Sequence, residues 1–259
     1  MKTFTTTLLL LLAVKAHSQQ FYISAGGGYN VPAIKQTLSV YSTDGKLNNF
    51  NGSFGKGYNA MIGGGYFFNE HIAAEINFSH LISTQDYFSS EDESQHSSEA
   101  TMTRIIPSIK LITGKKIRPY ICFGFVAGIA PSLKTDFNEL IGPSGEFVEL
   151  HEKYKGGNAF GFSNTIGTEF ILKENLFIFF QLNAILQNWG PDEVEYTAIS
   201  HYRSYDYSSS GTDHLEDSVS DPDDSRLRKY FPFNRIGLQA GITWYFRQKN
   251  KPVAGATSQ

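Results

Sequence analysis

Residue types able to do covalent or metal chemistry occur in this chain, but their spacing is poor. Nucleophilic catalysis needs a hydroxyl or thiol, a base beside it, and a carboxylate to orient the base. The best local set is His80, Ser83 and Asp86. His80 falls in phase with apolar neighbours, as a rim residue would, so no catalytic residue is assigned. Cys122 is the single cysteine, with no disulfide partner and no recognisable His/Asn arrangement near it. It is expected to be a small wall residue. Histidines 71, 96, 151, 201 and 214 lack metal-ligand spacing. The densest acidic cluster, Asp221-Pro222-Asp223-Asp224, lacks the glycine and closing glutamate of an EF-hand loop. Neither a metal nor a cofactor is expected.

The charges that promise a role are six isolated ones, Glu75, Arg104, Lys110, Arg118, Glu169 and Arg235. Each stands in a stretch where apolar and polar residues alternate. Ile72, Ala74, Ile76 and Phe78 oppose Glu75, Asn77 and Ser79, and Ile105, Pro107, Ile109 and Leu111 oppose Arg104, Ser108 and Lys110. Period two means strands. Eight such segments are expected, over about 21–31, 54–68, 72–82, 101–113, 117–129, 158–172, 176–186 and 235–246. Tight turns at 69–71, 114–116 and 173–175 alternate with four long connections at 32–53, 84–100, 132–157 and 190–233.

Each segment is long enough for a tilted strand to cross an apolar layer. Short turns on one side and long loops on the other are the habit of an outer-membrane barrel. The composition agrees. Phe and Tyr total 35 and Gly 24, while charged residues are 18%. The polar face is rich in glycine, which suits a narrow interior better than a wetted surface. A soluble barrel is the competing reading, since it too would alternate. Aromatics near the rims, Tyr66, Phe68, Phe170, Trp244 and Phe246 at one and Tyr29 and Trp189 at the other, read as interfacial girdles.

The amino terminus reads as an export signal. Met1-Lys2 is followed by an apolar run to Val14 and by Ala16-His17-Ser18 as a cleavage site. The expected organisation is a cleaved signal over 1–18, a barrel over 19–246 and a short polar tail over 247–259. Removing Lys2 and Lys15 takes the net charge from −3 to −5, which does not suit nucleic acid.

The opening strand Ile23-Ser24-Ala25-Gly26-Gly27-Gly28-Tyr29 and the final strand Gly237 to Phe246 resemble those of small outer-membrane β-barrels of the OmpA/OmpX-like kind. The resemblance covers nearly all of the mature chain. It implies an all-β fold, an eight-stranded antiparallel up-and-down transmembrane β-barrel in a Gram-negative outer membrane, with both termini periplasmic. It also implies reading of the aromatic-ended last strand by the outer-membrane insertion machinery, although here Phe246 is followed by the tail Arg247–Gln259. Some barrels of this size act on lipid A, so a membrane-embedded hydrolase is the alternative. The spacing around His80 does not reproduce the pattern of the lipid A deacylases.

An eight-stranded barrel has room inside only for side chains. The six charges are therefore expected to form a lumen network that plugs it, with Glu75 pairing Lys110 and Glu169 pairing Arg118 across neighbouring strands. Connection 190–233 carries ten acidic and four basic residues, and 84–100 carries five acidic and none basic. Both are expected to be solvated loops. The run His201 to Tyr207, rich in tyrosine, suggests an extracellular ligand, and a structural, adhesive or weakly pore-forming role is expected. Outer-membrane lipids and lipopolysaccharide are the other expected partners.

Overall fold

The structure, a computed structural model, describes residues 20–33, 36–43, 46–89, 94–141, 146–202, 205–215 and 229–246. Side chains are described for 20–33, 53–83, 97–138, 148–200, 208–215 and 229–246. The export signal over 1–18, the tail over 247–259 and the cluster at 221–224 lie outside the described residues.

The elements are all strands: β1 (Phe21–Pro32), β2 (Gln36–Thr43), β3 (Lys46–Gly52), β4 (Gly57–Phe67), β5 (Ile72–Ser89), β6 (Ser94–Ile112), β7 (Ile117–Ile141), β8 (Glu146–Lys155), β9 (Asn158–Lys173), β10 (Leu176–Gly190), β11 (Glu193–Tyr202), β12 (Tyr205–His214), β13 (Phe231–Pro232) and β14 (Arg235–Phe246). Eight of them, β1, β4, β5, β6, β7, β9, β10 and β14, pair in that order as antiparallel neighbours. The ring closes between β1 and β14, with Phe21 opposite Phe246 and Pro32 opposite Arg235. Closure leaves no barrel edge with unpaired backbone groups, which a lipid interior requires.

The alternation sorts the two faces. On β14 every even position from Ile236 to Phe246 points out, and Arg235, Gly237, Gln239, Thr243 and Tyr245 are buried. The outward face is apolar and bare: Tyr58 is 72% exposed, Leu238 67% and Ile166 66%. A protein dissolved in water does not present a continuous apolar belt of this kind. The soluble-barrel reading fails on this belt.

The short turns hold one rim. Phe68 N donates to Ile72 O, and Asn69 Oδ1 accepts from the amides of His71 and Ile72. Gly114 turns with φ +90°, a conformation open to glycine at little cost.

The opposite rim departs from expectation. Three of the four long connections carry strands that continue the barrel wall, and the fourth, 32–53, carries the separate β2–β3 hairpin. β5 and β6 stay paired out to Ser89 and Ser94. β7 pairs β9 from Ile117 to Gly128 and β8 from Ser132 to Ile141. At the change of neighbour Ala130 adopts φ 47°, and the β6–β7 register shifts between Thr101 and Thr103. Such a bulge bends a strand and redirects it. β8 then pairs β11, and β11 pairs β12. The result is a wall of order β5-β6-β7-β8-β11-β12 rising from one side of the barrel. Polar strands keep their ladder above the membrane because backbone pairing needs no apolar side chains.

The wall carries exposed ion pairs. Lys155 meets Glu195 at 2.7 Å and Glu193 at 3.2 Å, and Lys153 meets Glu195 at 3.4 Å. Glu193 and Glu195 of the acidic connection are thus matched rather than self-repelling, and at this exposure each pair adds little stability.

Candidate functional site: the barrel lumen

The lumen is built from inward positions of all eight strands, and it has three levels. At the short-turn end Glu169 is fully buried on β9. Lys110 Nζ reaches its Oε1 at 2.5 Å, Tyr245 donates its hydroxyl to Oε2 at 2.6 Å, and Arg118 Nη1 stands 3.7 Å from Oε2. One carboxylate therefore serves two cations. Aromatic rings cage both charges: Lys110 lies 4.2 Å from the Tyr120 ring centre, and Arg118 lies 4.7 Å from that of Tyr245. Such contacts supplement the ion pair where water is excluded.

Of the two expected pairs, the structure brings Arg118 to Glu169, which face each other in the β7–β9 register. Glu75 does not hydrogen-bond to Lys110, and that pairing is corrected. In register Glu75 faces Ser108, while Lys110 faces Ala73. Glu75 instead accepts from the Tyr22 hydroxyl at 2.6 Å and from Asn77 at 2.8 Å. Lys110, with a long stem, crosses the narrow interior to Glu169 two strands away. Tyr22, Phe67 and Tyr245, sequence neighbours of girdle residues, point inward because their phase is opposite. The tyrosine rings need space, and glycine provides it. A Cβ on Gly65 would stand 2.5 Å from Tyr22 Cζ, and one on Gly167 2.5 Å from Tyr120 Cζ.

The middle level is polar and nearly full. Tyr120 donates to Gln181, Gln181 donates to Gln239, and Asn183 donates to Ser163 and Thr165. A cavity of about 40 Å³ remains, lined by groups including Glu75, Cys122, Gln181 and Arg235. That is room for a few waters. Cys122 is buried and free on this wall.

The third level carries Arg104 and Arg235, both inside and both without a carboxylate within ion-pair distance among the described residues. Above them lies an aromatic cap that the sequence reading missed. Trp189, Phe233, Phe231 and Phe54 pack with ring centres 5.7–6.0 Å apart. Trp189 was expected at the interface, and this is corrected: it is fully buried and donates from Nε1 to Gly156 O at 2.7 Å. Its position settles the matter, since on β10 Asn183, Gln187 and Trp189 share the inward phase. That phase, together with Phe231 and Phe233 two residues apart, was the signal available. The other girdle residues, Tyr29, Tyr66, Phe68, Phe170, Trp244 and Phe246, lie on the outer face in the outward phase, with Tyr29 against Tyr58 and Phe21 against Tyr66.

Among the described residues the remaining reactive side chains do not converge. His80 is exposed on the outer face and bonded to Thr103 Oγ1, whereas Ser83 is buried on the inner face. No strand can bring groups on its two faces to one substrate. Among the described residues no three His, Cys, Asp or Glu side chains are grouped to hold a metal. On the wall, His151 Nδ1 stands 2.6 Å from Asp136 Oδ1, and that hydrogen bond holds the imidazole above its ordinary value. A raised folded value means that the pair helps most below pH ~6.5, and that the help fades as pH rises through the folded value. An NMR titration of the His151 ring is expected to show the elevated midpoint, and Asp136→Asn to bring it back toward the unperturbed one. Equal midpoints would refute the pairing.

A closed eight-stranded sheet with a bare apolar exterior and a packed polar interior is a transmembrane β-barrel. The chain belongs to the family described as the outer membrane protein beta-barrel domain, whose model matches residues 4–201. Among solved structures it is similar to the outer membrane protein OprG from Pseudomonas aeruginosa, at 12% identity and a TM-score of 0.51, covering 90% of this chain and 99% of that one. It is also similar to a major outer membrane protein from Thermus thermophilus, at 10% identity, TM-score 0.46, and 89% and 100% coverage. A third is Ail, the attachment invasion locus protein of Yersinia pestis, at 10% identity, TM-score 0.34, and 88% and 99% coverage. At these identities the likeness concerns fold alone. No curated protein matches the sequence. The protein is an outer-membrane barrel.

Proposed function

We propose that this barrel is a closed, non-enzymatic anchor that holds a β-sheet wall outside the cell. The observation that carries the reading is the filled lumen, where about 40 Å³ of space lies between a buried charge cluster and an aromatic cap. A hydrated ion needs a continuous water column, and among the described residues the lumen offers room for a few waters only. In this reading the short turns and both termini face the periplasm, the apolar belt meets outer-membrane lipids, and the wall stands among the lipopolysaccharide sugars. The insertion machinery would read the last strand ending at Phe246. Purified protein in planar bilayers is expected to show no steady single-channel current. A reproducible open level in the native protein would overturn the closed reading.

The wall is where a partner would bind. The β11–β12 hairpin extends it with tyrosine- and serine-rich strands, and serine and tyrosine suit contact surfaces. Deleting 196–211 is expected to abolish cell or ligand binding in pull-downs while leaving the heat-modifiable barrel intact. Binding unchanged by the deletion would remove the adhesive role.

A further inference from the structure

We propose that the upper lumen is a built binding site for a small inorganic anion, held between Arg104 and Arg235. The two guanidinium groups are buried at 0% and 1% exposure, and both reach inward side chains of β10. Both are tied to β10 by neutral amides. Arg104 Nε donates to Gln187 Oε1 at 2.7 Å, and Arg235 Nη2 reaches Asn183 Oδ1 at 3.5 Å. Their other nitrogens, Nη1 and Nη2 of Arg104 and Nε and Nη1 of Arg235, have no hydrogen-bond partner among the described residues. Arginine cannot shed its proton to escape burial, as a lysine can. Two uncompensated cations inside one narrow lipid-embedded barrel are unstable without a counter-charge.

The protein's own carboxylates in the lumen are already committed. Glu169 serves Lys110 and Arg118, and Glu75 serves Tyr22 and Asn77. The unmatched polar atoms at this level are mostly donors. Asn59 Nδ2 joins the arginine nitrogens as an unmatched donor, Ser79 and Ser83 add hydroxyls that can donate or accept, Asn30 Oδ1 is an unmatched acceptor, and Ser79 stands opposite Arg104 in the β5–β6 register. A surplus of donors in a closed space calls for a ligand that only accepts, which is what an anion is. Arg235 borders the 40 Å³ cavity, but Glu75 and Glu169 line it and Arg104 does not, so the anion's place is above that cavity beside the guanidinium groups, and the nearly full lumen limits it to inorganic size. The aromatic cap above excludes bulk water and strengthens the attraction.

The test compares detergent-solubilised native protein in chloride, in inorganic phosphate and in the bulky anion gluconate at equal ionic strength. An anion that binds only the folded barrel slows its unfolding, so the rate is expected to fall about fivefold or more in chloride or phosphate relative to gluconate. In Arg104→Met, which replaces the buried charge with an apolar chain of similar length, the same change of anion should alter the rate by less than about twofold. A response in chloride alone identifies a halide, and one in phosphate alone an oxyanion. Equal rates in all three salts, or an undiminished response in Arg104→Met, would overturn the site. Crystals of the native protein grown in bromide give an independent reading that needs no variant. Anomalous density between Arg104 and Arg235 is expected where chloride slows unfolding, and its absence in a protein that responds to chloride would refute the proposal.

Discussion

Replacing Glu169 with alanine is expected to destabilise the barrel by about 3–5 kcal/mol, the range seen when one partner of a buried ion pair is removed. Three groups lose their acceptor at once: Lys110 at 2.5 Å, the Tyr245 hydroxyl at 2.6 Å and Arg118 at 3.7 Å. Two cations are then left inside with aromatic faces around them and, for Lys110, the more distant Glu75. The measurement is the unfolding midpoint in urea, followed by the gel shift between folded and heat-denatured barrel. The companion variant separates the cost of an orphaned charge from the worth of the pair. Lys110→Met together with Glu169→Gln removes the closest contact, strands no lysine and leaves Arg118 an amide oxygen in place of the carboxylate. It is expected to lose well under half of what Glu169→Ala loses, because a well-packed neutral pair is often close to neutral in stability. Equal losses in the two proteins would mean that packing, not charge, holds this level together.

The Arg118–Glu169 contact was legible in the sequence because both residues sit a fixed distance from tight turns that set the register. Counting from a three-residue turn places a side chain by height and by face. The Glu75–Lys110 pairing failed where height alone was used, since Glu75 faces Ser108 and a long lysine can span the interior. The eight barrel segments were legible for a simpler reason. A strand between lipid and lumen must alternate, and alternation survives in the sequence. Above the membrane that pressure ends, so the upper parts of β5, β6 and β7 and all of β8, β11 and β12 read as loops. Their pairing rests on backbone bonds, which leave a weak trace in side-chain types. Trp189 was misread because an aromatic near a rim suggests a girdle. Its phase with Asn183 and Gln187 was the stronger signal.

That correction leads to the second large effect. Trp189→Ala is expected to cost about 3–5 kcal/mol, the usual range for deleting a buried aromatic side chain. The indole is fully buried, touches Phe231 and Phe233, and bonds Gly156 O at 2.7 Å. Trp189→Phe should recover most of the packing and lose about 1 kcal/mol for the missing hydrogen bond. Urea unfolding of the three proteins gives the ordering. The same variants bear on closure, because the cap and the Glu169 cluster block the lumen in series. A path is as narrow as its narrowest point, so opening the cap alone leaves the lower block in place. Trp189→Ala is therefore expected to remain silent in planar bilayers despite its lost stability. A steady current through that variant would mean that the cap alone seals the barrel, and that the Lys110–Glu169 level admits ions as it stands.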